Sequence, residues 1–504
     1  MGYEIPQQLE YKEKIMFGLT FKQLIYAFIF GLIAIIILKT VNDKVLKISL
    51  ALIPSFIGIC FIFFNFDLHI RNYYVFLKFK TLEGKKLKKF IGIECIKDDL
   101  IYTIGKKKVA ILKVEPMNFS IKPKAERDVV MESFQKFLNS IDFPIQIMMN
   151  TESIDLKKYI DSSKSRIKEK KFAKLFEKYK EHLSNEIFKN NIMNRIFYVV
   201  IPETTDIDIQ INISLERLEN LNLKTERVKD EELKEIFQKI FRNLKSPPPS
   251  RIISHLNHLE LNKSFNRIIY ASGYPRLVEA GFLDRLISST GDFNLSIHLK
   301  PYPIETMLLD LNRELQKQRA DLYSMQTKGV INPSLEIKYN DTRKILEELQ
   351  KGKEKLFDIS LYINCKASSL KDLNLLTKRI ESELNSVMII PRHANFRMIH
   401  GYKSVLPLGV NSLNMNRNIT TFALSAFFPF TSQFFQIDET GVWLGVNKNK
   451  IPIIRDIFKL PNPNGLVLAQ SGGGKSFFCK LLVSRYLLNG TKVMVIDPQG
   501  EYSN

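Results

Sequence analysis

The stretch Gly465-Leu-Val-Leu-Ala-Gln-Ser-Gly-Gly-Gly-Lys-Ser-Phe477 decides the reading of the chain. Leu466, Val467 and Leu468 form a short apolar run of the kind a buried strand uses. Three glycines, Lys475 and Ser476 follow. In residues 477–488, Phe478, Leu481, Leu482 and Leu488 are spaced for one face of a helix. Residues 492–496 are a second apolar run, closed by Asp497 and Pro498. The expected order is strand, glycine-rich loop, helix, strand. Binding a phosphate needs that order, because successive backbone N–H groups must point at one anion and side chains would block its approach. The helix opened by the loop adds a dipole that favours negative charge. Lys475 is placed to reach the β- and γ-phosphates of a nucleotide, and the Ser476 hydroxyl to bind Mg²⁺.

The strict form of this loop begins with glycine, and here that position is Ala469. A bare Gly-Lys-Ser/Thr tripeptide arises by chance in roughly one chain in four of this length, so the flanking strand and helix carry the argument. A glycine-rich turn entering a core helix is the alternative. After the second run comes Asp497-Pro-Gln-Gly-Glu501-Tyr502. Asp497 or Glu501 is placed to meet Mg²⁺ or a water, and Asp497 is equally placed to cap the next turn.

The 504 residues hold 74 Lys plus Arg against 53 Asp plus Glu, a net charge of +21. Length suggests three or four domains. Apolar residues at 45% and charged residues at 25% exclude a disordered tail, a collagen-like fibre and a coiled-coil rod. Four cysteines exclude a disulfide scaffold, and none has the short spacing of a zinc knuckle. The positive charge points to nucleic acid or an anionic membrane surface and does not choose between them.

Two long apolar runs, 21–38 and 48–66, are each about long enough to cross a bilayer, for which a helix needs about 20 residues. A buried core hairpin is the alternative. The linker 39–47 is too short to hold a domain, so both flanks of the hairpin face the same side. The downstream flank carries Arg71, Lys78, Lys80, Lys85, Lys86, Lys88 and Lys89, and the upstream flank Lys12, Lys14 and Lys22. The heavier side is expected to be cytoplasmic. Lys39, Lys44 and Lys47 in the turn make the bias incomplete. The cluster 85–89 reads either as a site for anionic headgroups or as a solvated linker. Glu4, Glu10 and Glu13 spoil the basic start of a cleavable signal, so the anchor is expected to remain uncleaved.

From about residue 90, short β-rich runs alternate with charged helical stretches. Residues 100–114 read as a hairpin, and 145–149, 197–201, 294–299 and 356–363 as strands. Residues 126–140, 162–190, 209–223, 230–244, 305–328, 341–355 and 370–385 read as helices. The basic face of 162–190 reads as solvated surface, with a nucleic-acid contact as the alternative. Pro247, Pro248 and Pro249 make a stiff break. No period of 20–50 residues argues for a solenoid. The fold class is α/β: a two-helix transmembrane hairpin, an α+β middle domain and the start of a RecA-like nucleotide domain. The expected domains are 1–89, 90–435 and 436–504.

With Ala-Gln-Ser-Gly-Gly-Gly-Lys-Ser at 469–476 and Val-Ile-Asp-Pro-Gln-Gly-Glu-Tyr at 495–502, the chain resembles the conjugation and type IV secretion ATPases. These are the VirB/TrbE/CagE and TraC-like proteins of the HerA/FtsK superfamily. Three upstream stretches look similar too. The first is Val114-Glu-Pro-Met-Asn-Phe119, with Phe143-Pro-Ile-Gln-Ile147 after it. The second is Ser296-Ile-His-Leu-Lys-Pro-Tyr-Pro303. The third is Phe427-Phe-Pro-Phe430, with Gly441-Val-Trp-Leu-Gly445 after it. Residues 1–89, beginning Tyr3-Glu-Ile-Pro6, resemble a PrgI-type membrane protein. The resemblance implies an oligomeric, often hexameric ATPase at the cytoplasmic mouth of a secretion channel. It uses ATP and Mg²⁺ and works with other channel subunits at the cell membrane, and DNA is a further partner it leaves open. Ala469, Gln470, Ser471, Gly472, Gly473, Gly474, Lys475, Ser476 and Phe477 would contact nucleotide. Asp497 and Glu501 match an acidic motif whose role stays open.

Only one strand–loop–helix–strand unit of the nucleotide domain lies within the sequence. No later strand supplies a second metal-binding carboxylate, and phosphoryl transfer depends on such parts. The chain is therefore expected to be the front part of a longer ATPase, not competent alone. A non-enzymatic membrane scaffold of the transfer channel and an FtsK-like or coupling-protein DNA translocase are the alternatives.

Overall fold

The computed structural model describes residues 3–5, 19–64, 66–153, 156–167, 170–190, 193–241, 251–262, 264–327, 329, 331–432, 438–446, 452–470, 472–498, 500 and 502. Six long strands form the middle of one large sheet. They are β1 (Lys108–Val114), β2 (Ile145–Ser153), β3 (Met193–Pro202), β4 (Ser264–Gly273), β5 (Phe293–Pro301) and β6 (Leu356–Ala367). Their order across the sheet is β4-β6-β5-β2-β3-β1, and every neighbouring pair is antiparallel.

That order is the same three-strand unit used twice. In each half the third strand inserts antiparallel between the first two, as in a split βαβ unit. In each half a short two-strand meander leads into the first strand: Ile93–Lys97 with Leu100–Thr103, and Arg251–Ser254 with Leu259–Leu261. Between the second and third strands each half inserts two helices, Lys157–Arg166 with Lys170–Asn190, and Ile304–Thr327 with Pro333–Gln350. After the third strand comes a helix, Ile207–Glu219 or Leu370–Ser386. A short strand then returns to the first strand, Thr225–Arg227 on β1 and Ile390–His393 on β4. The halves join where β2 meets β5, with Ile147 opposite Ile297. The repeat is thus a duplication of a large unit rather than a solenoid.

The pleat points alternate side chains to opposite faces, and both faces are covered. Ile145, Ile147, Met149, Leu295, Ile297 and Leu299 face a core that holds Phe134, Phe137, Phe428 and Phe430. Met148, Tyr198, Ile268 and Tyr362 face a second core with Met398, Tyr402, Leu406 and Leu408. Two of the family-like stretches of the sequence meet here: Met117 N donates to the Phe430 carbonyl at 3.0 Å, and the Phe119 and Phe428 rings lie 5.5 Å apart.

Polar groups on the second face are tied to one segment. The Gln146 side-chain amide donates to Ser296 Oγ at 2.9 Å and to the Leu406 carbonyl at 3.0 Å, and its oxygen accepts from Gly409 N at 2.8 Å. Burial pushes His298 down to about 4, so its ring is neutral and Nε2–H donates to the Ser404 carbonyl at 2.6 Å.

Two helices of 20 residues, Phe21–Thr40 and Lys44–Phe63, are long and apolar enough to cross a membrane. They pack side by side, and Gln23 Nε2 donates to the Ile62 carbonyl at 2.8 Å. Lys22 is bridged to Asp67. The start of the first helix is therefore level with the end of the second. Ahead of the hairpin, Tyr3 and Glu4 pair with Val278 and Leu277, and Glu4 accepts from Arg276 at 3.0 Å. Behind it, Thr81–Glu83 joins the edge of the large sheet beside Arg251–Ser254. Both ends of the hairpin are thus fastened to the same α/β body.

The expected single helix over 162–190 is two helices with a break at Ile167, which caps the first. The triple proline 247–249 lies outside the described residues.

Candidate phosphate-binding loop

The helix after the loop runs Lys475–Leu488, and Lys475 is its first residue. Its N-cap is Gly474 in the left-handed region, φ +80°, and Gly472 is there too at +76°. Such backbone suits glycine, because a Cβ would crowd the following carbonyl oxygen. Gly473 N donates back to the Gln470 carbonyl at 2.9 Å, which closes the turn. Among the described residues no side chain caps the helix. The first N–H groups, which have no partner inside a helix, therefore open into the loop. A Cβ built at Gly472 or Gly474 would meet only open space. This cradle fits a phosphate in shape and in charge.

Lys475 and Phe477 are exposed, and Ser476 is half-buried. Ala469 and Gln470 lie in the exposed chain leading into the turn, and Ser471 lies outside the described residues. Asp497 Oδ2 accepts from Tyr502 N at 2.7 Å, so its carboxylate caps the following turn. Lys480 Nζ sits 5.4 Å from the centre of the Tyr502 ring, which ties that turn to the loop's helix. Glu501 lies outside the described residues.

The two flanking strands correct the sequence reading. Residues 466–468 and 492–496 join no ladder among the described residues. Leu466, Leu468, Met494 and Ile496 are 80–92% exposed. Apolar runs become strands only where a neighbour aligns its N–H and C=O groups, and neither run finds such a neighbour here. The helix between them forms because its residues close their hydrogen bonds locally.

The far end of that helix is held by residues whose roles the sequence did not reveal. Arg485 stacks on Trp443, 4.4 Å from the ring centre, and donates to its carbonyl. Trp443 lies in the strand Val442–Val446, which pairs with Pro452–Arg455. Its ring meets Tyr179 and His182 of the Lys170–Asn190 helix. The Asn489 amide donates to the Thr440 carbonyl at 2.8 Å, and Arg166 reaches both Thr440 and Asn489. The Gly441-Val-Trp-Leu-Gly445 stretch flagged the place, but nothing in it names Arg485 as the partner.

The fold and loop define a mixed α/β protein with a glycine-rich loop at the start of a helix. Residues 97–244 match the family model of the archaeal TraC-like domain. Residues 443–504 match that of the central domain of helicase HerA. On both counts the chain is similar to the TraC/VirB4-like ATPases of the HerA/FtsK superfamily. The HerA-type match implies use of a nucleotide and Mg²⁺ in general, and both families typically act in oligomeric assemblies. No curated protein matches the chain.

Proposed function

We propose that this chain is a membrane-anchored, nucleotide-binding subunit of a type IV secretion or conjugative transfer apparatus. The observation that carries the reading is the uncapped helix N-terminus at Lys475, opened by two glycines of positive φ. In this reading residues 469–477 hold the phosphates, Lys475 supplies the positive charge at the β- and γ-phosphates, and Ser476 ligates Mg²⁺. ATP supplies the phosphoryl group whose transfer powers the machine. Asp497 shapes the turn beside the helix, and the Glu501 carboxylate is a candidate to orient water or metal.

The apolar hairpin Phe21–Phe63 supports the anchor. Its side chains Phe28, Ile35, Leu52 and Phe56 are exposed, as lipid-facing groups would be and as core groups would not. The fastening of residues 3–5 to the α/β body supports placing both flanks on one side, and the lysine-rich downstream flank makes that side cytoplasmic. In this reading 1–89 is the PrgI-like membrane part, 90–435 the α/β body and 436–504 the nucleotide part, with the strand Thr81–Glu83 and the helix Gly84–Ile91 packing the first part into the body. Partners are further copies of the chain, in a hexamer, and the subunits of the channel.

The test is Mg²⁺–ATP binding by the full chain in detergent micelles. Binding in the micromolar range, lost on Lys475→Ala with thermal stability unchanged, is the expected result. Equal binding by wild type and variant would overturn the reading.

A further inference from the structure

The helix Phe66–Lys78 begins directly after the second apolar helix and carries a feature that the proposed function does not use. At 100° per residue, Phe66, Ile70, Tyr73, Tyr74 and Leu77 fall within about a 100° arc. All five are exposed, at 43–66%. The α/β body lies beside one edge of this arc: Phe76 is buried with its ring 6.1 Å from Phe396, and Tyr73 at that edge also meets Phe396 at 6.1 Å. Arg71 and Lys78 lie together beyond the Tyr74 edge of the arc, a placement from which long cationic side chains reach outward from an apolar surface. Two tyrosines on the arc suit the boundary between headgroups and acyl chains.

The next helix, Gly84–Ile91, continues the pattern. Leu87, Phe90 and Ile91 are buried, while Lys85, Lys86, Lys88 and Lys89 are all exposed. Residues 66–91 contain two acids, and both are already paired: Asp67 with Lys22 and Glu83 with Arg251. Among the described residues none of the four lysines is in an ion pair, so their charge is open to an outside partner. Lys403, over the Phe90 ring at 5.2 Å, adds a further cation at the same corner.

We infer that Phe66–Lys78 lies in the membrane interface and that it forms, with the lysines of Gly84–Ile91, a binding surface for anionic phospholipid headgroups. This rests on the spanning reading of the hairpin, because the hairpin sets the level of the membrane at Phe63 and Phe66. The apolar arc sinks into the headgroup layer and brings the lysines within the roughly 10 Å over which surface charge acts at 0.1 M salt. Nearby basic groups act additively on an anionic surface.

The experiment places the full chain in nanodiscs of phosphatidylcholine with about one third phosphatidylglycerol and reads retained lipid by native mass spectrometry. Wild type is expected to retain phosphatidylglycerol over phosphatidylcholine by at least tenfold, with the preference falling as salt rises. The variant Lys85→Gln/Lys86→Gln/Lys88→Gln/Lys89→Gln should fall to within twofold of no preference. Tyr74→Ser/Leu77→Ser should lower it in the same direction. Equal preference in wild type and the lysine variant would overturn the inference. Unchanged lipid retention with loss of salt-sensitive duplex binding would assign the lysines to nucleic acid instead. A carbonate wash of membranes separates the two readings: wild type and variant should both stay in the pellet. Release of both would overturn the spanning reading and the lipid surface with it.

Discussion

The Arg485 guanidinium lies 4.4 Å from the centre of the Trp443 indole and donates to the Trp443 carbonyl. One residue thus fixes the far end of the helix that begins at Lys475 to a strand that also touches the Lys170–Asn190 helix. Burial lowers Arg485 from its usual value, while Tyr179 and Tyr159 act against that shift. Trp443 is the only tryptophan in the chain, and it is 95% shielded from solvent at 5% exposure. Its fluorescence therefore reports this joint directly. Arg485→Ala is expected to shift Trp443 emission to the red and to weaken nucleotide binding severalfold, because the loop would lose its fixed base. A stack of this kind contributes about 1–2 kcal/mol when desolvated. Unchanged emission would show that the joint does not form in solution.

The loop's backbone gives a second expectation. Gly474 at φ +80° tolerates a side chain poorly, and Gly473 has the Gln470 carbonyl oxygen 2.9 Å from where a Cβ would sit. Gly474→Ala is expected to strain the turn by about 1–2 kcal/mol and to reduce nucleotide affinity about tenfold. The loop is exposed, so the melting temperature of the α/β body should move by no more than a degree or two. Titration with a fluorescent nucleotide, beside a thermal melt of the same sample, checks both halves of this expectation.

The sequence made the helix at 475–488 legible because glycines and a one-faced apolar pattern are local signals. It made β2, β3 and β6 legible because each contains an apolar run, and β5 because Leu295, Ile297 and Leu299 recur at every second place. It did not reveal β4, whose Ser264-Phe-Asn-Arg-Ile-Ile-Tyr interrupts the apolar run with Asn266 and Arg267. Both polar residues are buried and paired: Asn266 accepts from Asn364, and Arg267 donates to the Asn257 carbonyl. These partners lie on other segments, so no window of sequence contains the reason. The duplication was hidden for a related cause. The two halves share strand order but differ in their inserts, Lys124–Ser140 in one and the four-residue Asp284–Ile287 in the other. Strand order is a property of pairing, and pairing leaves no period in the chain. The runs at 466–468 and 492–496 failed the other way, since apolarity shows what a segment would bury and not whether a partner is there.

Arg195 is the polar pin between the two halves. It sits on β3 and is 9% exposed. It donates to the carbonyls of Ile287, Ser289 and Gly291 at 3.2, 2.6 and 3.2 Å, and to Thr151 on β2. Its guanidinium also lies over the Phe293 ring at 4.5 Å. Burial lowers it to about 10, which leaves it charged at neutral pH. Arg195→Leu would strand several buried carbonyls, a change that typically destabilises by about 3–5 kcal/mol. Arg195→Lys keeps the charge but not the fork of donors, so it should recover less than half of the loss. The expected readout is early cleavage between residues 284 and 293 in limited proteolysis of both variants, with Leu the more sensitive. Wild-type resistance in Arg195→Leu would show that the halves hold together without the pin.

Acid should loosen the α/β body through two histidines, His298 on β5 and His400 on the helix Met398–Val405 that β5 meets. His298 and His400 are both pushed down to about 4 by burial, and Arg397 and Lys403 push His400 further in the same direction. An unfolded histidine titrates near 6.5. Between pH 6.5 and about 4 the unfolded chain therefore binds more protons than the folded one, and stability falls as pH falls through that window. Each histidine contributes a slope of up to about 1.4 kcal/mol per pH unit there. Above pH 7 both are neutral in either state and the slope vanishes. His298→Gln keeps an N–H within reach of the Ser404 carbonyl without a titrating ring, so it should flatten about half of the slope while leaving stability at pH 7.5 nearly unchanged. Pulse-proteolysis midpoints in urea at pH 7.5, 6.0 and 5.0, for wild type and variant, would measure it. Parallel midpoints for the two chains at all three pH values would mean that His298 titrates alike in the folded and unfolded chains, and that burial does not hold its ring neutral.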